Sequence, residues 1–243
     1  MSKKVVIVTG GSRGIGYATA KVFAKNGYNI VINYVKDDKK ALEAKKEIEK
    51  EYDVEVLLVK GDISIEEDVK RIVDIVLNRY KNIDVLVNNA GIAIDTTLED
   101  KTVENFNKIL NTNLVGTFLM CKYVGKEMMN NKKGSIVNIS STNGIDSFYP
   151  FSMDYDASKA GVISLTHNFA ILYAPYIRVN SIAPGWVNTE MNKELDDEFK
   201  EGELEHILLH RFAEPEEIGE EVYHVANSSY LNDCIIKVDG GRC

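Results

Sequence analysis

Tyr155 and Lys159 stand at i and i+4, a spacing that puts both on one face of a helix. A phenol ordinarily ionises near pH ~10, too high for efficient proton transfer at neutral pH. A lysine cation one turn along would favour the phenolate and lower that value, which makes Tyr155 a candidate general acid/base. Ser140-Ser141 ends an aliphatic run and offers hydroxyls to an oxygen on which charge develops. Asn113 stands in Asn111-Thr112-Asn113-Leu114-Val115-Gly116. A different chemistry is written in Val8-Thr9-Gly10-Gly11-Ser12-Arg13-Gly14-Ile15-Gly16. Here Gly10 can supply a tight turn, Gly14 lets backbone approach a pyrophosphate, and Gly16 lets a helix pack on a strand. A helix starting near Ile15 adds free N–H groups and a partial positive charge. Each piece has a plainer reading. A Tyr–Lys pair decorates many helix surfaces, serines can close a strand, asparagine can cap a helix, and glycines make ordinary turns. Against these readings stands their convergence, since all four polar residues fall where strand ends would meet the following helices.

Those residues need a scaffold, and the chain supplies a regular one. Short aliphatic runs occur at Lys4–Thr9, Asn29–Tyr34, Val54–Val59, Ile83–Asn88, Ser135–Ser140, Ile177–Ala183 and Cys234–Val238. Most are apolar throughout rather than alternating, as in strands covered on both faces. Between them lie stretches with helical spacing, such as Val69, Ile72, Val73, Val76 and Tyr80. Strands alternating with helices predict βαβ units and a doubly wound parallel α/β sheet of about seven strands with helices on both faces, in a single domain over 1–243. Ligands of such sheets bind outside the carboxyl ends of the strands.

Composition agrees with that reading and excludes others. The 243 residues are 44% apolar, 27% charged and 9% aromatic, an ordinary globular balance. With 37 acids against 29 bases the net charge is −8, which opposes duplex nucleic acid or an anionic membrane as main partner. Cys121, Cys234 and Cys243 are too few and scattered for a disulfide framework, and His167, His206, His210 and His224 show no ligand spacing, so no metal is expected. The start MSKKVVIVTGG lacks the long apolar region of a secretory signal, and no run of about 18 apolar residues occurs, so a cytoplasmic protein is expected.

The glycine spacing T-G-x-x-x-G-x-G resembles that of the short-chain dehydrogenase/reductase family, and further motifs follow in the family's order. Asn88-Asn89-Ala90-Gly91 is similar to its NNAG signature, Asn113 to its active-site asparagine and Ser141, after Asn138-Ile139-Ser140, to its active-site serine. Tyr155-Asp156-Ala157-Ser158-Lys159 matches Y-x-x-x-K. Pro184-Gly185-Trp186-Val187-Asn188-Thr189 resembles the loop that holds the nicotinamide carboxamide, and Val238-Asp239-Gly240-Gly241 matches V-D-G-G. The resemblance implies carbonyl reduction by hydride transfer, with Asn113, Ser141, Tyr155 and Lys159 catalytic and Asn113 holding a water that links Lys159 to solvent. It implies a cofactor site made by Gly10, Ser12, Arg13, Gly14, Ile15, Gly16, Tyr34, Asp62, Ile63, Asn89, Ala90, Gly91, Tyr155, Lys159, Pro184, Gly185, Val187 and Thr189.

NAD-binding relatives usually carry an acid at the end of strand two, where it bonds the ribose 2′-OH. Tyr34 stands there instead, while Asp37 and Asp38 come later and suit the start of the next helix. Arg13, with Lys36, could pair with a 2′-phosphate. Both changes point to NADP(H). Within the family, Asn33-Tyr34, Ser140-Ser141-x-x-Gly144 and Arg211-Phe212-Ala213-Glu214-Pro215-Glu216-Glu217-Ile218 resemble the 3-oxoacyl-(acyl-carrier-protein) reductases. The resemblance implies a 3-oxoacyl thioester as substrate and acyl carrier protein as a partner. Three departures bear on it. The stretch Ile145–Asp154 is longer and more aromatic than the usual Gly-rich loop, carrying Phe148, Tyr149, Pro150, Phe151 and Met153, and either shapes an apolar pocket or packs in a core or oligomer contact. Lys132 or Lys133 fits one carrier-docking position, but Pro175-Tyr176 leaves the second uncharged. Asn232-Asp233 replaces a usual Thr-Gly, which turn geometry tolerates. The alternative substrates are a sugar, a steroid or another small ketone. A nucleotide-binding regulatory protein would have no need of all four polar residues.

Residues 188–212 correspond to the family's substrate lid, although the acid-rich Lys193–His206 could equally be a solvated helical face. The helix expected over 154–173 is apolar on more than one face, through Val162, Ile163, Leu165, Phe169, Ile171 and Leu172, and needs cover beyond its own sheet. A homodimer or homotetramer is expected.

Overall fold

A computed structural model describes residues 3–192 and 196–242; Lys193–Leu195 of the acid-rich stretch and Cys243 lie outside them. Seven strands form one parallel sheet: β1 (Val5–Thr9), β2 (Asn29–Tyr34), β3 (Val56–Lys60), β4 (Val85–Asn88), β5 (Gly134–Ile139), β6 (Ile177–Pro184) and β7 (Ile235–Val238). Their order is β3-β2-β1-β4-β5-β6-β7. The order reverses beside β1, which pairs with β2 on one side (Val6 with Ile30) and β4 on the other (Val6 with Val85). Ligand crevices of doubly wound sheets open at such a reversal.

Most of the strands are rich in apolar residues because helices bury both faces. Val5 and Ile7 of β1 enter one layer with α3 (Glu66–Tyr80), α5 (Gly116–Asn130) and α6 (Met153–Tyr173). Val6 and Val8 enter the other with α1 (Gly14–Lys25), α2 (Asp38–Glu51) and α8 (Pro215–Asn227). The side-chain period of a strand delivers this alternation. Asp37 begins α2 as expected, its carboxylate accepting the Lys40 N–H at 2.9 Å.

Several features depart from the sequence reading, among them β4, which begins at Val85 rather than Ile83. β3 begins at Val56 rather than Val54, because the Val54 N–H bonds back to Tyr52 O at 2.8 Å in a turn. And α4 (Val103–Leu110) runs into α5 through a π turn, Asn111–Val115, without a break. Asn113 therefore caps nothing; it sits inside a continuous helix, 1% exposed, on a wide turn of the kind that recurs at functional sites.

Candidate active site

The loop after β1 is built around glycine. Gly10 and Gly14 have φ of +62° and +54°, the left-handed region that glycine enters without cost. At Gly16 a Cβ would lie 2.5 Å from both the Asn89 side chain and Gly10 O, so helix and strand could not close. Asn89 and Ala90 hold the turn. The Asn89 amide donates to Thr9 O (2.9 Å) and Gly10 O (3.2 Å), while Thr9 Oγ1 accepts the N–H groups of Asn89 (2.9 Å) and Ala90 (3.0 Å). At the start of α1, Arg13 provides no side-chain cap and the first turn carries no acid. The other helices that start from a loop, α2, α3, α4, α6, α8 and α7 (Asp197–Glu205), all carry one. A helix start with free N–H groups and no built-in negative charge suits an anionic ligand.

The continuation of the same strand-end segment borders the second cluster. Ile92 clasps Asn113: the Ile92 N–H donates to Asn113 Oδ1 at 2.8 Å, and Asn113 Nδ2 donates to Ile92 O (2.9 Å) and Ser158 Oγ (3.0 Å). A Cβ on Gly91 would stand 3.3 Å from Asn113 Oδ1 and 3.6 Å from Lys159 Nζ. Lys159 is 4% exposed, donates from Nζ to Ile139 O at 2.8 Å, and holds Nζ 5.4 Å from the centre of the Tyr155 ring. From the end of β5, Ser141 enters a short 3-10 turn (Thr142–Gly144), its Oγ accepting the Asn143 N–H at 3.2 Å. Gly144 lets that turn lie on α6, since a Cβ there would meet the Lys159 backbone at 2.7 Å. The result sets Ser141 beside Tyr155, close enough to lower the pKa of its phenol. Asn113, Ser141, Tyr155 and Lys159, brought in by three separate helical or strand-end segments, thus meet at one place.

The electrostatics correct one expectation. Burial pushes the Tyr155 phenol up to about 12, with Asp156 and Asp95 adding to the rise and the Ser141 hydrogen bond opposing it. Lys159 does not draw the phenol below its ordinary value; burial pushes the lysine itself down to about 8. Desolvation outweighs the attraction because Nζ turns to Ile139 O. Tyr155 is therefore a protonated phenol at neutral pH.

The family model described as short chain dehydrogenase matches residues 4–200, which takes in the glycine loop and all four polar residues. The chain belongs to the short-chain dehydrogenase family. It is 37% identical over 243 residues to the 3-oxoacyl-[acyl-carrier-protein] reductase of Thermotoga maritima, covering 98% of this chain and 97% of the relative. It is 36% identical over 245 residues to the enzyme of the same description from a Synechocystis species, covering 99% and 97%. The solved structure of gox2181 superposes with a TM-score of 0.94 at 31% identity, covering 99% of this chain and 96% of that one.

As a short-chain dehydrogenase the chain is an oxidoreductase acting on C=O and CH–OH groups, and its family implies a nicotinamide cofactor. The residues fit that group. The uncapped α1 start would hold the diphosphate over Gly14, with Thr189 beside it 3.6 Å from a Gly14 Cβ. Gly91, with no side chain, leaves the approach to Lys159 and Asn113 open. Not every expected cofactor residue presents its side chain. Ile63 is 2% exposed and packs where Gly116 approaches, Val187 is buried, and Asp62 Oδ1 accepts Ser64 N–H (2.9 Å) and Oγ (2.7 Å) in its own turn. For Ile63 and Val187 only the main chain can approach a ligand.

Where the adenosine is expected, Tyr34 closes β2, the pKa of its phenol raised by burial and by the neighbouring Asp38, which pairs with Lys60 at 2.9 Å. Arg13 (3.6 Å) and Lys40 (2.6 Å) gather around the carboxylate of Glu190. Lys36 is exposed.

At the substrate end the aromatic stretch is not core: Phe148 is 79% exposed. Tyr149 packs on Phe151 (5.4 Å between centres) and on Phe199 of α7 (5.9 Å), so this stretch meets the segment expected as a lid. Asp156 holds its near side, accepting from Asn143 Nδ2 (2.7 Å), Tyr149 N–H (3.1 Å) and Ser152 Oγ (3.3 Å). Lys132, exposed, lies 5.5 Å from the centre of the Tyr176 ring, so the two positions considered for carrier docking are neighbours. Sequence reasoning missed Asn143 and Asp156. Asp156 carried a faint signal as an acid in the first turn of α6, but its loop partners did not. Among the described residues no helix is long and apolar enough to cross a membrane.

Proposed function

We propose that this short-chain dehydrogenase is an NADPH-dependent carbonyl reductase whose substrate is a 3-oxoacyl thioester, with Tyr155 as general acid. The observation that carries the reading is the meeting of Tyr155, Ser141, Asn113 and the buried Lys159 at the carboxyl ends of β4 and β5, next to the Asn89–Gly91 segment that holds the glycine loop. A bound reduced nicotinamide supplies the hydride. Ser141 donates a hydrogen bond to the substrate oxygen and stabilises the charge that develops there. Tyr155 donates its proton to that oxygen as the alcohol forms. Lys159, with Nζ near its neutral–cation balance at about 8, is suited to return a proton to Tyr155 between turnovers. Asn113 keeps Gly91-Ile92 seated on α6 and with them the wall of the site. The water that links Lys159 to solvent is part of the same proposal.

The deciding assay follows reduced-nicotinamide absorbance with NADPH or NADH and a 3-oxoacyl-CoA as surrogate for the carrier-bound substrate. Turnover with NADPH supports the reading. Tight NADPH binding without turnover of the thioester moves the substrate to a sugar, a steroid or another small ketone. The 3-oxoacyl thioester rests on the relatives' printed activity and on the apolar Phe148–Phe151 face at the substrate end.

NADPH preference rests on Arg13 and on Tyr34 in place of an acid. Arg13→Ser should raise the NADPH Kd roughly tenfold, the worth of one charge-assisted phosphate contact of about 1.4 kcal/mol, and leave the NADH Kd unchanged. Equal weakening of both, read by nucleotide fluorescence titration, contradicts the assignment. The proposal includes a homodimer or homotetramer built on α6, where Ile171 and Leu172 are 75% and 64% exposed, and a soluble cytoplasmic setting with acyl carrier protein as carrier.

A further inference from the structure

Lys101 and Asp154 form an ion pair of 2.9 Å with side chains only 4% and 0% exposed. In each other Lys/Arg–Asp/Glu pair among the described residues, at least one side chain is 24% or more exposed. Burying two charges usually costs about as much as their attraction returns, and apolar side chains of similar volume would hold a fold as well. What distinguishes this pair is what it joins. Asp154 immediately precedes Tyr155, and its Oδ1 accepts both Lys101 Nζ and the Tyr155 main-chain N–H (3.0 Å). Lys101 Nζ also donates to Ile94 O at 3.3 Å, so it grips the segment 92–102 that begins with the Ile92 clasp on Asn113. A second tie lies alongside, from Thr96 N–H to Phe151 O at 3.1 Å.

We infer that the Lys101–Asp154 pair is a positioning clamp, which fixes the first turn of α6, and Tyr155 with it, against the 92–102 wall of the cleft. The inference rests on the reading of Tyr155 as proton donor. Neither Lys101 nor Asp154 takes part in the proton transfer proposed for the site; they act through the backbone that carries Tyr155. A small displacement of a reacting group is enough to slow a reaction by a large factor, so the clamp governs turnover and not cofactor affinity.

The test uses the full chain with Lys101→Met and Asp154→Asn combined. This removes both charges together, strands no buried ion, and keeps an oxygen for the Tyr155 N–H. The expected result is faster hydrogen exchange confined to residues 92–102 and 153–156, a kcat lower by roughly tenfold or more, and an NADPH Kd within about twofold of the parent. Lys101→Arg, which keeps the charge and the donor, should restore most of kcat. Unchanged kcat in the folded double variant overturns the inference, as does exchange that rises evenly over the whole chain. If the double variant does not fold, Asp154→Glu is the replacement, and it must lower kcat with cofactor Kd retained; unchanged kcat again overturns the clamp. A parent that binds NADPH but reduces no ketone refutes the reading of Tyr155 instead. The exchange pattern then still decides the clamp, which stands if exchange rises locally and falls if it does not.

Discussion

Tyr155→Phe should bind NADPH with a Kd within about twofold of the parent and lose roughly 10³-fold or more in kcat, within the range that one positioned acid/base contributes. The substitution deletes one oxygen and keeps the ring, so the contact with Lys159 and the course of α6 persist. The loss should appear in kcat rather than in cofactor affinity, because the phenol acts on the substrate oxygen while the diphosphate grip lies at Gly10–Gly16. Stability should move by no more than about 1 kcal/mol, since the phenol is a half-buried polar group whose removal also relieves its desolvation. Stopped-flow or steady-state absorbance with saturating NADPH reads the outcome. A variant that keeps parental turnover removes Tyr155 from the mechanism.

The scaffold was legible because its signals are local. Val5–Thr9 reads as a strand covered on both faces, and it is one, with Val5 and Ile7 in one layer and Val6 and Val8 in the other. The glycine loop was legible for the same reason, since Gly10, Gly14 and Gly16 each answer to a φ or a close approach fixed within the β1–α1 turn or against its neighbour. What the sequence hid depends on partners far along the chain. Asp154 and Lys101 stand 53 residues apart, and neither carries a mark of burial. The π turn at Asn111–Val115 was hidden because one extra residue per turn leaves the apolar spacing of α4 and α5 almost unchanged. The direction of the Tyr155 shift was hidden more deeply. Spacing announces the neighbouring charge of Lys159, whereas desolvation depends on the tertiary packing, in which the β5 end and the segment after β4 close on Lys159, and here desolvation is the larger effect.

That same desolvation makes Lys159→Met a variant that should gain stability as it loses activity. Burial holds the Lys159 ammonium down to about 8 in the folded chain, from 10.5 in the open one. At 1.36 kcal/mol per pKa unit, folding at pH 7 with the cation buried costs about 3 kcal/mol. Methionine has nearly the same shape and no charge, although Ile139 O then loses its donor, a loss of about 1 kcal/mol. A net gain of about 1–3 kcal/mol follows, or roughly 2–12 °C in Tm for a chain of this length. Its pH dependence has a definite sign. Between pH 8 and 10.5 the unfolded lysine binds more protons than the folded one, so the parent gains stability as pH rises through that window. Below pH 8 the full cost is present. The Tm difference between variant and parent should therefore be widest at neutral pH and below, and close by about pH 10.5; the Tyr155 shift, common to both chains, cancels in it to first order. Turnover should fall roughly 10²- to 10⁴-fold, because the proton that Tyr155 gives up has no buried amine to replace it. Paired thermal scans from pH 6 to about pH 10.5 measure the difference directly. A variant less stable than the parent at pH 7, or a gap that does not narrow with pH, would show that the folded protein carries the Lys159 cation without penalty, and the proton-return role assigned to it would lose its physical basis.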